Sequence, residues 1–546
     1  MLCKRRARER GGMAKAIPNA EEAARTKGGA FASPGPGAGA GVVAGVVAGV
    51  VASTRTGTGT STGADTNVGA ASSSQTTETA PPPPTGAAAP NTATTGPPVS
   101  TANTGPRPPV STHSKANALV IGMGGVGSVI GQKLHDYPGF GRIFLADIDP
   151  AFARKLQEKT PDSRFEVAVL NAMETARVAA FLSEHQIAVT LNACTWHSNH
   201  SLLEACAQAG SHYIDLAADI YSPRGVRRPT KNSYEAEIER FDARFREKNL
   251  TAVLCMGCDP GAVNVFARWA MDHLDHAESI RVLDADNAEV RGYRFAVLFS
   301  PETLFEELGA VPYFVQAGRL TSGKPLETEV EWIRFPPPLG LMKAYAVAHE
   351  EGVSLGLHPP FVEKGVRHSV FKYTLSDKVV GIAKSLALLD VDTWRKVRVD
   401  GAEVAPLRVV CANLPKPAAL GATVDGYSCV GAEVRGIKDG RRVEYFVYTM
   451  DSHRAAFQRY GSSLTVVQTG IPPAVVADHL VCGLIPQRGV LMPESLDPQP
   501  LMERFVREGL PVHIEKREET LLGDWPGPAP PTIPAPQRES ARKADR

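Results

Sequence analysis

The chain has 546 residues, with 59 Lys and Arg against 58 Asp and Glu, a net charge of +1. That balance excludes a global field drawing in nucleic acid or an anionic membrane surface. Eight scattered cysteines argue against a disulfide framework and for a reducing, cytoplasmic setting.

Residues 1–115 contain a single aromatic, Phe31, among Ala, Gly, Thr, Ser and Pro. So little large apolar surface cannot offset the entropy of ordering, so a disordered low-complexity tail is expected. Its GVVAGVVAGVVA repeat is too glycine-rich, and too far from the start, for a membrane span or signal-peptide core.

From Asn117 the pattern alternates short apolar strands with helical segments. The run Ala118–Ile121 reads as a buried parallel strand. Gly122, Gly124 and Gly127 follow as G-x-G-x-x-G, enclosing Gly125 and Val126, and a second strand, Arg142–Ala146, ends at Asp147, 20 residues past Gly127. In this order the glycines allow a tight turn, close approach to a pyrophosphate and close helix packing, while the acid takes the ribose hydroxyls. A carboxylate there repels a 2′-phosphate, so NAD is favoured over NADP. Further strands are expected at 165–170, 187–192 and 212–217, with a helix over 234–248 leading into TAVLCMG. The fold class is therefore α/β, a Rossmann-type doubly wound parallel sheet.

After Gly257 the grammar changes. Asp259 and Pro260 stand where a cap and first residue open a helix. The runs 279–286 and 294–300 are strand-like, and 432–450 reads as an antiparallel hairpin turning at Asp439 and Gly440. Near Pro472 and Pro473 an apolar helix is expected to start and pack back on the first domain. The expected organisation is a 1–115 tail, a 116–258 dinucleotide domain, a 259–461 α+β substrate domain, a 462–515 returning segment and a disordered 516–546 tail.

The segments VIGMGGVGSVIGQKL, LNACTWHSNHSLLEACAQAGSHYIDLA, GCDPGAVNVFAR, HEEGVSLGLH and TGIPPAVVADHLVCGLI resemble the saccharopine dehydrogenase family over about residues 117–515. The resemblance implies a Rossmann domain with an inserted α/β substrate domain. It also implies hydride transfer between a nicotinamide and the carbon of a C–N bond in an amino-acid or polyamine-type substrate. Relatives that use NADP often carry an arginine after the second strand, where this chain has Ile148. Asn171 stands where many members have an aspartate.

Ligands of open α/β sheets bind at the carboxyl ends of the strands. Asn192, Ala193 and Cys194 are therefore expected to border the nicotinamide, with Trp196 either walling the ring or lying in the core. Tyr213 and Asp215 alternate on the next strand; Asp215 either holds a substrate ammonium or caps a turn. Asp259 and Gly261 open a helix whose amides suit a substrate carboxylate, and Arg294 is a possible carboxylate clamp. His349 and Glu350, in the run His-Glu-Glu ending at Glu351, are the proton-handling candidates beside Asp215. His197 and His200 find no third ligand, and Cys255 and Cys258 make only one C-x-x-C pair, so no metal is expected. The partner is a small amine rather than nucleic acid or membrane, and a homodimer is expected. Two alternatives stand beside the dehydrogenase. One is a homospermidine-synthase-like transfer on bound NAD; the other is a non-catalytic dinucleotide sensor.

Overall fold

Seven short strands form one parallel sheet in the computed structural model, which describes residues 115–218 and 233–518. Both terminal segments expected to be disordered lie outside these residues, except Lys115 and residues 516–518, which are not disordered but complete the strand His513–Glu518. The sheet order runs Gly489–Leu491, Thr251–Val253, His212–Ile214, Ile187–Asn192, Ala116–Ile121, Phe140–Asp147, Phe165–Val169. All pairings are parallel. Leu119, Val120, Ile143 and Val189 are wholly buried, as continuous apolar strands covered on both faces must be. Strand order reverses between Ala116–Ile121 and Ile187–Asn192, the topological switch point where such sheets bind ligands.

The second sheet has nine strands, mostly antiparallel, built around His276–Asp286 and the hairpin Tyr427–Lys438/Arg441–Ser452. The hairpin turns at Asp439 and Gly440, both with positive φ, the geometry that matches strand twist. The last described strand, His513–Glu518, pairs with that hairpin. The returning segment therefore contributes to both sheets, since Gly489–Leu491 joins the parallel one. Among the described residues no helix is long and apolar enough to cross a membrane.

Three local expectations change. Residues 294–300 are not a strand; Val297 and Leu298 turn into the packed interior while the backbone leads into Ser300, which caps the next helix through its hydroxyl. The helix expected to start near Pro472 runs from Leu464 to Val481 with both prolines inside. Nearly all of its residues from 466 to 480 are buried, and packing on the helix Gly125–Asp136 offsets the lost backbone bonds. Asp259 is not a cap, because the helix begins at Ala262 behind Gly261, at φ 136°.

Candidate active site

The sheet's switch point presents a cradle. Gly122 has φ 96°, and a Cβ there would lie 2.6 Å from the Ala193 carbonyl carbon. A Cβ on Gly127 would lie 2.1 Å from Gly122 O, whereas one on Gly124 would meet nothing within 4 Å. Two glycines thus hold strand, loop and helix in contact, and the third leaves open space at the helix start. No side chain caps that helix, so its first amides and partial positive charge face the opening. Asp147 Oδ2 accepts from Met123 N at 2.6 Å and Oδ1 from Asp149 N at 3.0 Å. Each oxygen keeps a lone pair for a ribose hydroxyl. The residues fit a dinucleotide with its pyrophosphate over Gly124.

One cavity of about 1020 Å³ runs from Gly124, Gly125 and Val126 past Ala193, Cys194 and Trp196 into the second domain. Beyond the segment from Ala193 to Trp196 its wall is mostly acidic: Asp259, Asp284, Asp286, Glu307 and Glu350 line it, with Lys343 and Lys416 also reaching it. Asp284 and Asp286 prolong the buried face of His276–Asp286, after Ile280 and Val282, because a strand repeats every two residues. Glu307 lies beside Leu304 and Leu308 on the inward stripe of the helix Pro301–Gly309.

His349 stands at the inner end. Its ring stacks on Phe371 with centroids 3.8 Å apart. Its Nδ1 bonds Glu351 Oε2 at 2.5 Å, and its Nε2 lies 3.9 Å from Glu307. Glu350 Oε1 accepts from Ala218 N at 2.8 Å, tying the second domain to the segment that follows the strand His212–Ile214. Burial, helped by Glu351 and opposed by His349, pushes the Glu350 carboxyl up to about 7. Burial also pushes Glu351 to about 8 and Glu494 to about 7. Asp259 and Asp284 hydrogen-bond each other, and burial raises both well above the ordinary carboxylate range. Two carboxyls so close share a proton rather than carry two like charges.

These carboxyls make stability depend on pH. A carboxyl whose folded pKa is raised binds its proton more tightly when folded, so its contribution is complete below about 4.5 and is lost as pH rises through 7 to 8. The ligand-free protein should therefore melt roughly 5 °C lower at pH 8.5 than at pH 6, and Glu350→Gln should flatten part of that slope. Differential scanning calorimetry checks this; a midpoint that rises over this interval overturns it.

Several sequence-predicted residues lie elsewhere. Asp215 is buried off the cavity, where its Oδ1 accepts from Cys255 N at 2.6 Å. Asn192 and Tyr213 lie beneath the segment from Ala193 to Ser198. Asn192 Nδ2 donates to Tyr213 Oη at 3.0 Å, and its Oδ1 accepts from Cys194 N at 3.0 Å and Ser198 Oγ at 3.2 Å. They support the lining residues Ala193 and Cys194 without reaching the space. Arg294 is exposed away from the cavity, with its carbonyl accepting from Lys378. The amides at Gly261 are already used: Gly261 N donates to Asn264 Oδ1, Ala262 N to Gly257 O and Val263 N to Cys258 O. That helix start offers no carboxylate site, and Asp259 faces the acid cluster instead. Cys255 and Cys258 are core side chains. Asp284, Asp286, Glu307 and Gln468 were missed; two aspartates on one face of VLDAD were the available signal.

A dinucleotide cradle at a switch point, opening into a carboxyl-lined cavity of a second domain, defines a nicotinamide-dependent oxidoreductase. The saccharopine dehydrogenase NADP binding domain model matches residues 118–253, and the saccharopine dehydrogenase C-terminal domain model matches residues 257–510. The chain belongs to the saccharopine dehydrogenase family and is an NAD(P)-dependent oxidoreductase. It is 28% identical to carboxyaminopropylagmatine dehydrogenase of Synechocystis sp. over 75% of this chain and 99% of that protein. It is 30% identical to carboxynorspermidine synthase of Vibrio alginolyticus over 73% and 97%. The same fold occurs in homospermidine synthase of Legionella pneumophila in complex with NAD (TM-score 0.55, 16% identity, 78% and 96% covered). It occurs too in saccharopine dehydrogenase (L-Glu forming) of Saccharomyces cerevisiae (TM-score 0.54, 12% identity, 74% and 100% covered).

Proposed function

We propose that this protein transfers hydride at a C–N bond of a carboxylated polyamine, the substrate class named for its relatives from Synechocystis and Vibrio. The observation that carries this reading is the acidic wall, Asp259, Asp284, Asp286, Glu307 and Glu350, in the same cavity as the glycine loop. Such a wall attracts a polycation and repels an anionic sugar or keto acid.

Gly122, Gly124, Gly125, Val126, Gly127 and Asp147 would hold the cofactor, with Ala193 and Cys194 against the nicotinamide. When bound, the nicotinamide supplies or accepts the hydride. The carboxylates bind the ammonium groups and orient the reacting carbon. His349, with Glu351 on its Nδ1, exchanges a proton with the reacting nitrogen through Nε2. Glu350 sets the local charge. The amine is oxidised to an imine with loss of a hydride and a proton, and the reverse reaction consumes both.

The full chain should change nicotinamide absorbance with carboxynorspermidine or carboxyaminopropylagmatine. Silence with both, while NAD binds, would overturn the reading. A product formed from the amine without net NADH would place the chemistry with an internal transfer of the homospermidine synthase kind.

Asp147, followed by the 70% exposed Ile148, supports NAD as the cofactor. The expected kcat/KM ratio favours NAD over NADP by about tenfold or more, a difference of about 1.4 kcal/mol. Asp147→Ser should narrow it. A preference for NADP in the unmodified chain would reverse the cofactor assignment. A cytoplasmic homodimer is the accompanying proposal, tested by sedimentation of the purified chain and fractionation of the cells that make it.

A further inference from the structure

The helix Leu464–Val481 begins at the seam between the glycine loop and the acid wall, and Thr465, Gln468 and Thr469 face the cavity. On one side Val466 packs against Gly125, where an added Cβ would lie 3.1 Å from it. On the other, Leu464 N donates to His453 Nδ1 at 3.1 Å. With that nitrogen accepting, the His453 proton sits on Nε2 and is donated to Asp286, 3.1 Å away. A buried histidine thereby ties the helix start to a cavity carboxylate.

The donors left at this start are unusual. The amides of Thr465 and Val466 precede the first intrahelical bond, Val467 N to Ser463 O, and Ser463 provides no side-chain cap. Thr465 Oγ1 and Gln468 Nε2 are buried without a hydrogen-bond partner among the described residues. Gln468 is only 1% exposed, and its Oε1 is occupied by Ser428 Oγ at 3.3 Å, which leaves the amide N–H as the unused group. Buried donors persist where something accepts from them, and a helix N-terminus prefers that acceptor to be an anion.

We propose that the start of this helix, with Thr465 Oγ1 and Gln468 Nε2, is the subsite for a substrate carboxylate, beside Asp286, which takes the ammonium of the same amino-acid head. The assignment rests on the reading that the substrate is an amine, and it explains how an otherwise acidic cavity accepts a carboxylated polyamine. Without these donors the acid wall would favour the decarboxylated amine.

Two probes differ by that one group: L-2,4-diaminobutyrate, and 1,3-diaminopropane, which has the same two amines and no carboxylate. Calorimetric titration of the NAD-loaded full chain should show tighter binding of diaminobutyrate. Gln468→Leu should weaken it by about tenfold, with Thr465→Val, a less buried change, acting in the same direction. Affinities for 1,3-diaminopropane and NAD should stay within about twofold. Equal losses for both amines would overturn the subsite. So would weakened NAD binding with diaminobutyrate unchanged, which would give these donors to the cofactor. If the chain proves unable to oxidise any amine but shows the predicted binding pattern, the reductase reading fails and the subsite stands.

Discussion

Replacing His349 by glutamine is expected to lower kcat by about 10²- to 10⁴-fold, the ordinary contribution of a positioned acid or base, while leaving dinucleotide affinity within about twofold. The ring is held by the stack on Phe371 and by Glu351 on Nδ1, so Nε2 is its remaining nitrogen for exchange with substrate. Glutamine retains hydrogen-bonding bulk but cannot carry a proton between water and an amine. Glu351→Gln keeps the shape and removes the titrating carboxyl on Nδ1. Its smaller loss should come with a displaced pH profile, the sign of a group acting through the histidine. In the oxidative direction the cluster must be able to take up a proton, and Glu350 and Glu351 lose theirs between about pH 6 and 8, so the rate should rise over that interval. In the reductive direction, where a proton is delivered, the rate should fall over the same interval. Steady-state rates in both directions check this. An unchanged kcat in His349→Gln removes the histidine from proton transfer.

The second large effect separates the roles of two glycines in the loop after the first strand. Gly124→Ala adds a methyl where the protein has nothing within 4 Å, so thermal stability should be retained. That methyl occupies the place of the pyrophosphate, and dinucleotide affinity should fall by about tenfold or more. Gly127→Ala puts a Cβ 2.1 Å from Gly122 O, a backbone atom that cannot yield without moving the loop. Here stability should drop by several kcal/mol, as for an overpacked site, and dinucleotide binding should be lost by about 100-fold or more. Melting and fluorescence titration of NADH on both variants distinguish cradle from scaffold. Similar affinities in Gly124→Ala and the parent chain would move the pyrophosphate away from this loop.

The cofactor half was legible because its physics is local. Turn, close approach and helix start are all written within Gly122 to Gly127, and the acid follows on the next strand of the same βαβ unit. The His349–Glu351 run was legible for the same reason. The acid wall was not, because its members come from four segments between 259 and 350 and meet only when the second sheet folds against the first. Asp215 shows the converse. Its place at a strand end suited catalysis, yet its partner is the Cys255 amide on the neighbouring strand's exit, 40 residues away. Gln468 was hidden inside an apolar helix whose start the prolines at 472 and 473 disguised.

The sequence by itself determined the Rossmann fold, the dinucleotide loop and the family, since these depend on short-range spacing and hydrophobic period. Tertiary structure decided which carboxyls line the cavity, which are buried supports, and which donors are left over at the helix start beside them. Those outcomes depend on burial and on neighbours across sheets, and neither has a fixed separation along the chain.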